Sequence, residues 1–431
     1  MIALATATLF AGSPASPQAA APETAVAPPA VLPVSSDVGA AYDTFHLQPM
    51  WFRNGVDDAA VGQLAAILQR APFDGFPEGP QLAAQVQAAV SQARANPASA
   101  ASAERILSTA WVRYVQALRR PTDGMIYAFP VLKPQGTRAE EILLTAAAAP
   151  SLASYLAATS DLNPIYKQLR DAGWAEAQAT GNLTPDPRLL ANLDRARSIP
   201  ARGKFALVDS GTQMLTLFES GQPVDSMKVI VGTNELPTPL IASLVYYVTY
   251  NPYWHAPDHL VRKTIAPTVL RQGMAYLKSH GYHVIDDWSE SPKEIDPTTV
   301  DWKAAAAGTL HLRIQQDPGV LNSMGNLKFP FPNPEDIYLH DTPNKALFAK
   351  DVRFLSNGCV RVEDANRFGR WLLGQDPVAP GKDPELRVQL PQPVPIILTY
   401  LTAQLKDGKL TYLNDVYGWD TGGAPRFASS N

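Results

Sequence analysis

Tyr338-Leu-His-Asp-Thr-Pro343, followed by Ser356-Asn-Gly-Cys-Val-Arg361, holds the only cysteine of this 431-residue chain. A single thiol, Cys359, excludes an internal disulfide and any multi-cysteine metal site. By default a lone cysteine is a small apolar core residue, but its neighbours point elsewhere. Gly358 directly before it lets the backbone approach a bound molecule and present consecutive N–H groups. The amides of Gly358 and Cys359 are thus candidate donors to the oxyanion formed when a thiolate attacks a carbonyl. Arg361 adds positive charge that favours a thiolate or a substrate carboxylate. His340 lies 19 positions earlier (359 − 340), at the end of the strand pattern Asp336-Ile-Tyr-Leu-His, and becomes a base if the chain folds back. Cysteine plus one of seven histidines is by itself a weak signal for nucleophilic acyl transfer.

On either side of this stretch the hydrophobic period changes. From 36 to 201 it is helical. Leu64, Ile67 and Leu68 share a face, as do Leu82, Val86 and Val90, and Ile106, Ala110, Tyr114 and Leu118. A short helix over Pro187–Arg197 then gives way to strand patterns at Phe205–Asp209, Met214–Phe218, Ser226–Val231 and Leu244–Tyr250. Short consecutive strands with tight turns, such as Ser210-Gly211, favour an antiparallel sheet or small barrel. Residues 254–334 interrupt them. An insertion of roughly 80 residues is too long for a plain connector and reads as a lid or binding element. After Ala365–Leu373, a helix, Val394–Thr402 and Lys409–Leu413 read as closing strands. The expected class is α+β: a helical domain over 36–201, a mostly antiparallel β-domain over 202–421 and a tail over 422–431.

Composition narrows the function. Apolar content is 46%, charged content 18%, and 36 basic residues are interspersed with 40 acidic ones. No basic stripe points to nucleic acid. No run of about 18 apolar residues points to a transmembrane helix. Residues 1–35 read as a signal-like segment and a Pro/Ala linker: Ile2–Gly12 is apolar and Ala19–Ala21 is an Ala-x-Ala, although the first basic residue is Arg53. His255 and His259 have i,i+4 spacing, but Pro257 between them argues against a metal-binding helix. His280-x-x-His283 lacks a nearby third ligand, so neither a metal nor another cofactor is expected.

These residues resemble the signature of the YkuD-type L,D-transpeptidases, His…Ser-x-Gly-Cys-x-Arg, matched at every position. Asn251-Pro-Tyr-Trp254, Ile295-Asp-Pro, Gln316-Asp-Pro-Gly319, Lys328–Asn333 and Leu413-Asn-Asp-Val-Tyr-Gly-Trp-Asp420 are similar to the YcbB-like branch of that family. The resemblance implies a YkuD-type β-sandwich or barrel with 254–334 as its capping subdomain, behind a scaffold domain. It makes Cys359 the nucleophile and His340 the general base, held by a backbone carbonyl rather than by the Asp341 carboxylate. Tyr338 and Trp254 match positions that line the donor cleft, whereas Ser356 and Arg361 shape the cysteine loop and Arg361 also steers substrate. Asn357 stands beside the substrate without a proton-transfer role. The branch often carries a peptidoglycan-binding module within the scaffold, for which Asp171–Asp194 leaves no room.

The implied activity is L,D-transpeptidation of peptidoglycan stem peptides in the periplasm or cell envelope, with the diaminopimelate side-chain amine as acceptor. Such enzymes bear on cell-wall biogenesis and cell shape and are carbapenem targets. The resemblance leans toward 1→3 over 3→3 cross-links. Two other readings stand beside it: an acyltransferase or hydrolase that attaches or releases a protein at peptidoglycan, and a non-catalytic envelope binding protein.

Overall fold

Helix caps and apolar stripes set the first half of the chain. In this computed structural model, which describes residues 33–289 and 291–423, Asp57 caps the helix Asp58–Arg70 by accepting the Ala60 N–H. Asn163 caps Pro164–Thr180 through Tyr166 and also donates to the carbonyls of Ala196 and Ile199, locking that helix to Pro187–Ala196. Leu64, Ile67, Leu68, Leu82, Val86, Val90, Ala110, Tyr114 and Leu118 are buried, while Ile106 is only half-buried. Only Gly181–Asp186 joins Pro164–Thr180 to Pro187–Ala196, so no module is inserted there. The signal-like stretch 1–32 and the tail beyond 423 lie outside the described residues.

The second half is a closed barrel. Around the ring run Ile241–Tyr250, Leu327–Pro330, Tyr338–His340, Val360–Val362, Gln222–Gly232, Met214–Glu219, Phe205–Asp209 and Leu386–Thr399, which returns to Ile241–Tyr250. Closure leaves the ring no free edge. All but two neighbouring pairs are antiparallel; Tyr338–His340 with Val360–Val362, and Phe205–Asp209 with Leu386–Thr399, run parallel. Val208, Leu215, Val229, Val245, Leu339, Val360, Val362 and Ile396 fill the inside, joined by Phe368 from the helix Ala365–Leu373. A second core runs through the helices and takes in Phe205, Leu207, Ile397 and Tyr400. Arg195 seals that junction, donating to Asp420 and to the Trp419 carbonyl.

Two strand assignments differ from the sequence reading. The third strand starts earlier, at Gln222, because Ser220 and Gly221 take positive φ (52° and 77°) and turn the chain back at once. Lys409–Tyr412 does not close the barrel. Asp407 and Gly408 form the same kind of left-handed turn, and the strand pairs only with Ala403–Lys406.

The insertion folds on its own core. Trp254–Ala256, Arg313–Gln316, Tyr282–Ile285 and Glu294–Ile295 form a separate sheet, packed with helical runs over 258–272 and Trp302–Ala307 around Val261, Ile265, Val284 and Ile314. The insertion ends before the expected 334. Leu327–Pro330 alternates buried and half-buried positions and pairs on both sides within the barrel. The Asn251 N–H donates to the Asn326 carbonyl, closing the base of the insertion. No helix among the described residues is long and apolar enough to cross a membrane.

Candidate active site

Strand register gathers the site. Leu339 lies opposite Val360 and His340 opposite Arg361. Because Leu339 and Val360 point into the barrel, alternation turns Tyr338, His340, Cys359 and Arg361 to the other face. On the far side of His340 its antiparallel partner is Lys328. Lys328, His340 and Arg361 therefore form a row across three strands, with the imidazole in the middle.

The imidazole is buried, and its Nδ1 lies 2.5 Å from the backbone oxygen of Asp341. A carbonyl can only accept, so Nδ1 carries the hydrogen and Nε2 keeps its lone pair. The Asp341 carboxylate turns away, taking the Lys345 ammonium at 2.6 Å and the Asn326 N–H at 3.0 Å. Burial, then the charge of Arg361, push the His340 pKa down to about 3, with Lys328 adding to the effect. The imidazole is neutral at neutral pH.

Cys359 sits on a bend held from inside. Ser356 Oγ donates to the Cys359 carbonyl at 2.6 Å and accepts the Gly358 N–H at 3.3 Å. Thr238 Oγ1 donates to the Gly358 carbonyl at 2.7 Å. Gly358 takes φ +109°, and a Cβ there would meet Ile337 at 3.1 Å, so glycine is required. This corrects the expected oxyanion hole. The Gly358 amide is consumed by Ser356, leaving the Cys359 amide as the candidate donor from this loop. Burial pushes the thiol up, against hydrogen bonds from the Tyr338 N–H and hydroxyl. The thiol in turn lies 3.7 Å from the Asp336 carbonyl.

Cys359, Tyr338, Asn357 and Lys328 line a cleft of about 1340 Å³ whose other wall is the insertion, through His255, Trp288 and His311. Tyr338 and Asn357 line this cleft. Trp254 does not: alternation sends Tyr253 and His255 to the cleft and packs the Trp254 ring inside the insertion, 6.2 Å from that of Tyr282. Arg361 is half-buried behind His340, its Nε without a hydrogen-bond partner, rather than on the cleft wall.

Residues 203–380 match the family model of the L,D-transpeptidase catalytic domain, YkuD, and residues 36–172 that of the scaffold domain. The chain carries a YkuD catalytic domain behind a scaffold domain. Over 323 residues it is 28% identical to a Haemophilus influenzae protein provisionally named an L,D-transpeptidase, a match covering 72% of this chain and 64% of that one. The chain therefore spans less than two thirds of that relative's length. A Mycobacterium smegmatis L,D-transpeptidase structure overlaps 46% of this chain and 60% of its own at 11% identity and a TM-score of 0.24. A mutant Enterococcus faecium L,D-transpeptidase overlaps 47% and 51% at 11% identity and a TM-score of 0.22. Overlaps that slight decide nothing about this chain.

The YkuD match contains both His340 and Cys359, although the barrel itself closes beyond it, with Leu386–Thr399. Within the domain, sequence reasoning gave no role to Lys328. The signal was available: Lys328 stands between the core residues Leu327 and Phe329, the pattern of a strand that turns its lysine outward.

Proposed function

We propose that this YkuD domain is an L,D-transpeptidase that cross-links peptidoglycan stem peptides through a thioester on Cys359. What supports the reading above all is His340: a buried neutral imidazole, its hydrogen pinned on Nδ1 by the Asp341 carbonyl, on the same strand face as a thiol at the floor of a capped cleft. The donor's L-residue carbonyl lies over Cys359. As Sγ bonds to the carbonyl carbon, its proton passes to His340 Nε2. The C–N bond to the D-residue then breaks, and the leaving amine takes that proton. The diaminopimelate side-chain amine of a second stem attacks the thioester, gives its proton to His340, and the sulfur departs to recover the thiol. Burial disfavours a charged intermediate, so the Cys359 N–H and the Tyr338 hydroxyl are the groups that stabilise developing negative charge. Of the two linkages, 1→3 is the one the resemblance favours, and the envelope is where this substrate lies.

The test is mass spectrometry of muropeptides after incubating the protein with isolated sacculi, beside Cys359→Ala. Cysteine-dependent dimers are expected, and their fragmentation separates 1→3 from 3→3 linkage. Stem shortening or protein release without dimers would instead favour the hydrolase reading.

A further inference from the structure

Lys328 is a half-buried lysine on the cleft wall that, among the described residues, forms no ion pair and donates no hydrogen bond. Its ammonium lies 4.4 Å from the centroid of the Tyr338 ring, and Lys328, Tyr338 and Cys359 line the same cleft. An ammonium set over an aromatic face with no carboxylate against it is placed to receive an anion. Glu335 and Asp336 also line the cleft, yet neither reaches Lys328. The Lys328 ammonium is therefore free for a ligand, one aromatic ring away from the reacting sulfur.

We infer that Lys328 docks the α-carboxylate of the D-residue that leaves when Cys359 is acylated. This rests on the transpeptidase reading and adds to it the group by which the donor is recognised. The chemistry selects this carboxylate from either possible cleavage. If the bond to the terminal D-Ala breaks, the leaving residue carries its free C-terminal carboxylate. If the bond to D-Glu breaks, that residue is linked onward through its side chain and again has a free α-carboxylate. In both cases the anion sits on the carbon attached to the scissile nitrogen. A cation at the Tyr338 face can hold it while Sγ addresses the carbonyl. The Tyr338 ring, stacked edge-on to His340 with centroids 5.8 Å apart, fixes the spacing between the docking point and the base. A positioned charge of this kind orients the donor before bond formation.

The test compares two donors, the tetrapeptide L-Ala–γ-D-Glu–diaminopimelate–D-Ala and the same peptide with both D-residue α-carboxylates converted to carboxamides. Acyl-enzyme formation is followed by intact mass on the full chain, its Lys328→Met and Lys328→Gln variants, and Lys328→Arg. The unsubstituted protein should favour the carboxylate donor by about ten- to a hundred-fold in kcat/KM, the scale of a charged hydrogen bond. Lys328→Met and Lys328→Gln should bring that ratio near one, and Lys328→Arg should restore most of it. A ratio that is unchanged in both neutral variants, or already near one without substitution, overturns the assignment while leaving the transpeptidase reading intact. Acylation by neither donor in the unsubstituted protein removes the transpeptidase reading itself.

Discussion

The Nδ1 atom of His340 is held by the backbone oxygen of Asp341, the very next residue, while the Asp341 carboxylate is bound elsewhere by Lys345 and Asn326. The orienting group is thus one that no side-chain substitution deletes. Asp341→Asn keeps the carbonyl and one acceptor for the Asn326 N–H, losing chiefly the ion pair. We expect kcat to fall less than about tenfold, against a loss of several orders of magnitude for a triad carboxylate. Single-turnover acylation of Cys359 would measure it; a loss of a thousandfold or more in a folded variant would mean that the carboxylate itself orients the imidazole.

Burial sends the two side chains in opposite directions, the His340 imidazole down to about 3 and the Cys359 thiol up. The resting pair is therefore thiol and neutral imidazole rather than thiolate and imidazolium. Alkylation of Cys359 by iodoacetamide should be slow at pH 7, keep rising above pH 9 and change little in His340→Ala. A plateau reached by about pH 6, in the range of an activated thiolate, would contradict this. The stability consequence has a definite sign. The folded pKa of His340 lies below its unfolded value of about 6.5, so its contribution is fully present above that value and is lost as pH falls toward 3. Arg361→Gln removes a cation facing the imidazole and should move the acid limb of activity upward.

Ser356 serves the cysteine loop twice, donating to the Cys359 carbonyl and accepting from the Gly358 amide. Ser356→Ala takes the partner from a buried amide and from a part-buried carbonyl, at a cost of about 1–3 kcal/mol for the amide. We expect a lower melting temperature and a fall in kcat of roughly ten- to a hundredfold, with KM nearly unchanged, because the loop aims the thiol proposed as nucleophile. An equal loss through KM alone would place Ser356 in substrate binding instead.

What was legible in the sequence was what is local. The turn around Gly358, the strand ending at His340 and the helical stripes each depend on residues close in the chain. What was not legible depended on register and on competition. The Gly358 amide was a reasonable oxyanion donor until the Ser356 hydroxyl, two residues back, took it. The motif puts Trp254 on the cleft, but alternation along a short strand gives the cleft to Tyr253 and His255. Leu327–Pro330 was hidden by the prolines that follow it, which read as loop although Phe329 is fully buried in the barrel. Lys328 gains its meaning only when the strands carrying His340 and Arg361 come to lie beside its own.

The insertion contains a titratable clamp of its own. His283 presents Nδ1 to Glu294 at 2.9 Å and Nε2 to Asp317 at 2.8 Å, so both nitrogens donate only when the ring is charged. Burial lowers its pKa, but the two carboxylates outweigh burial and the net shift is upward. With the folded pKa above the unfolded one, the clamp is at full strength below about pH 6.5 and is lost as pH rises through the folded value. It ties Tyr282–Ile285 to Glu294–Ile295 and to the turn after Arg313–Gln316, the strand that carries Arg313 to the cleft wall. Amide exchange, corrected for its intrinsic pH dependence, should show these strands losing protection between pH 6 and pH 9. His283→Asn should flatten that trend while leaving the barrel strands unaffected. If the variant shows the same pH-dependent loss, the clamp is not what holds this part of the cap together.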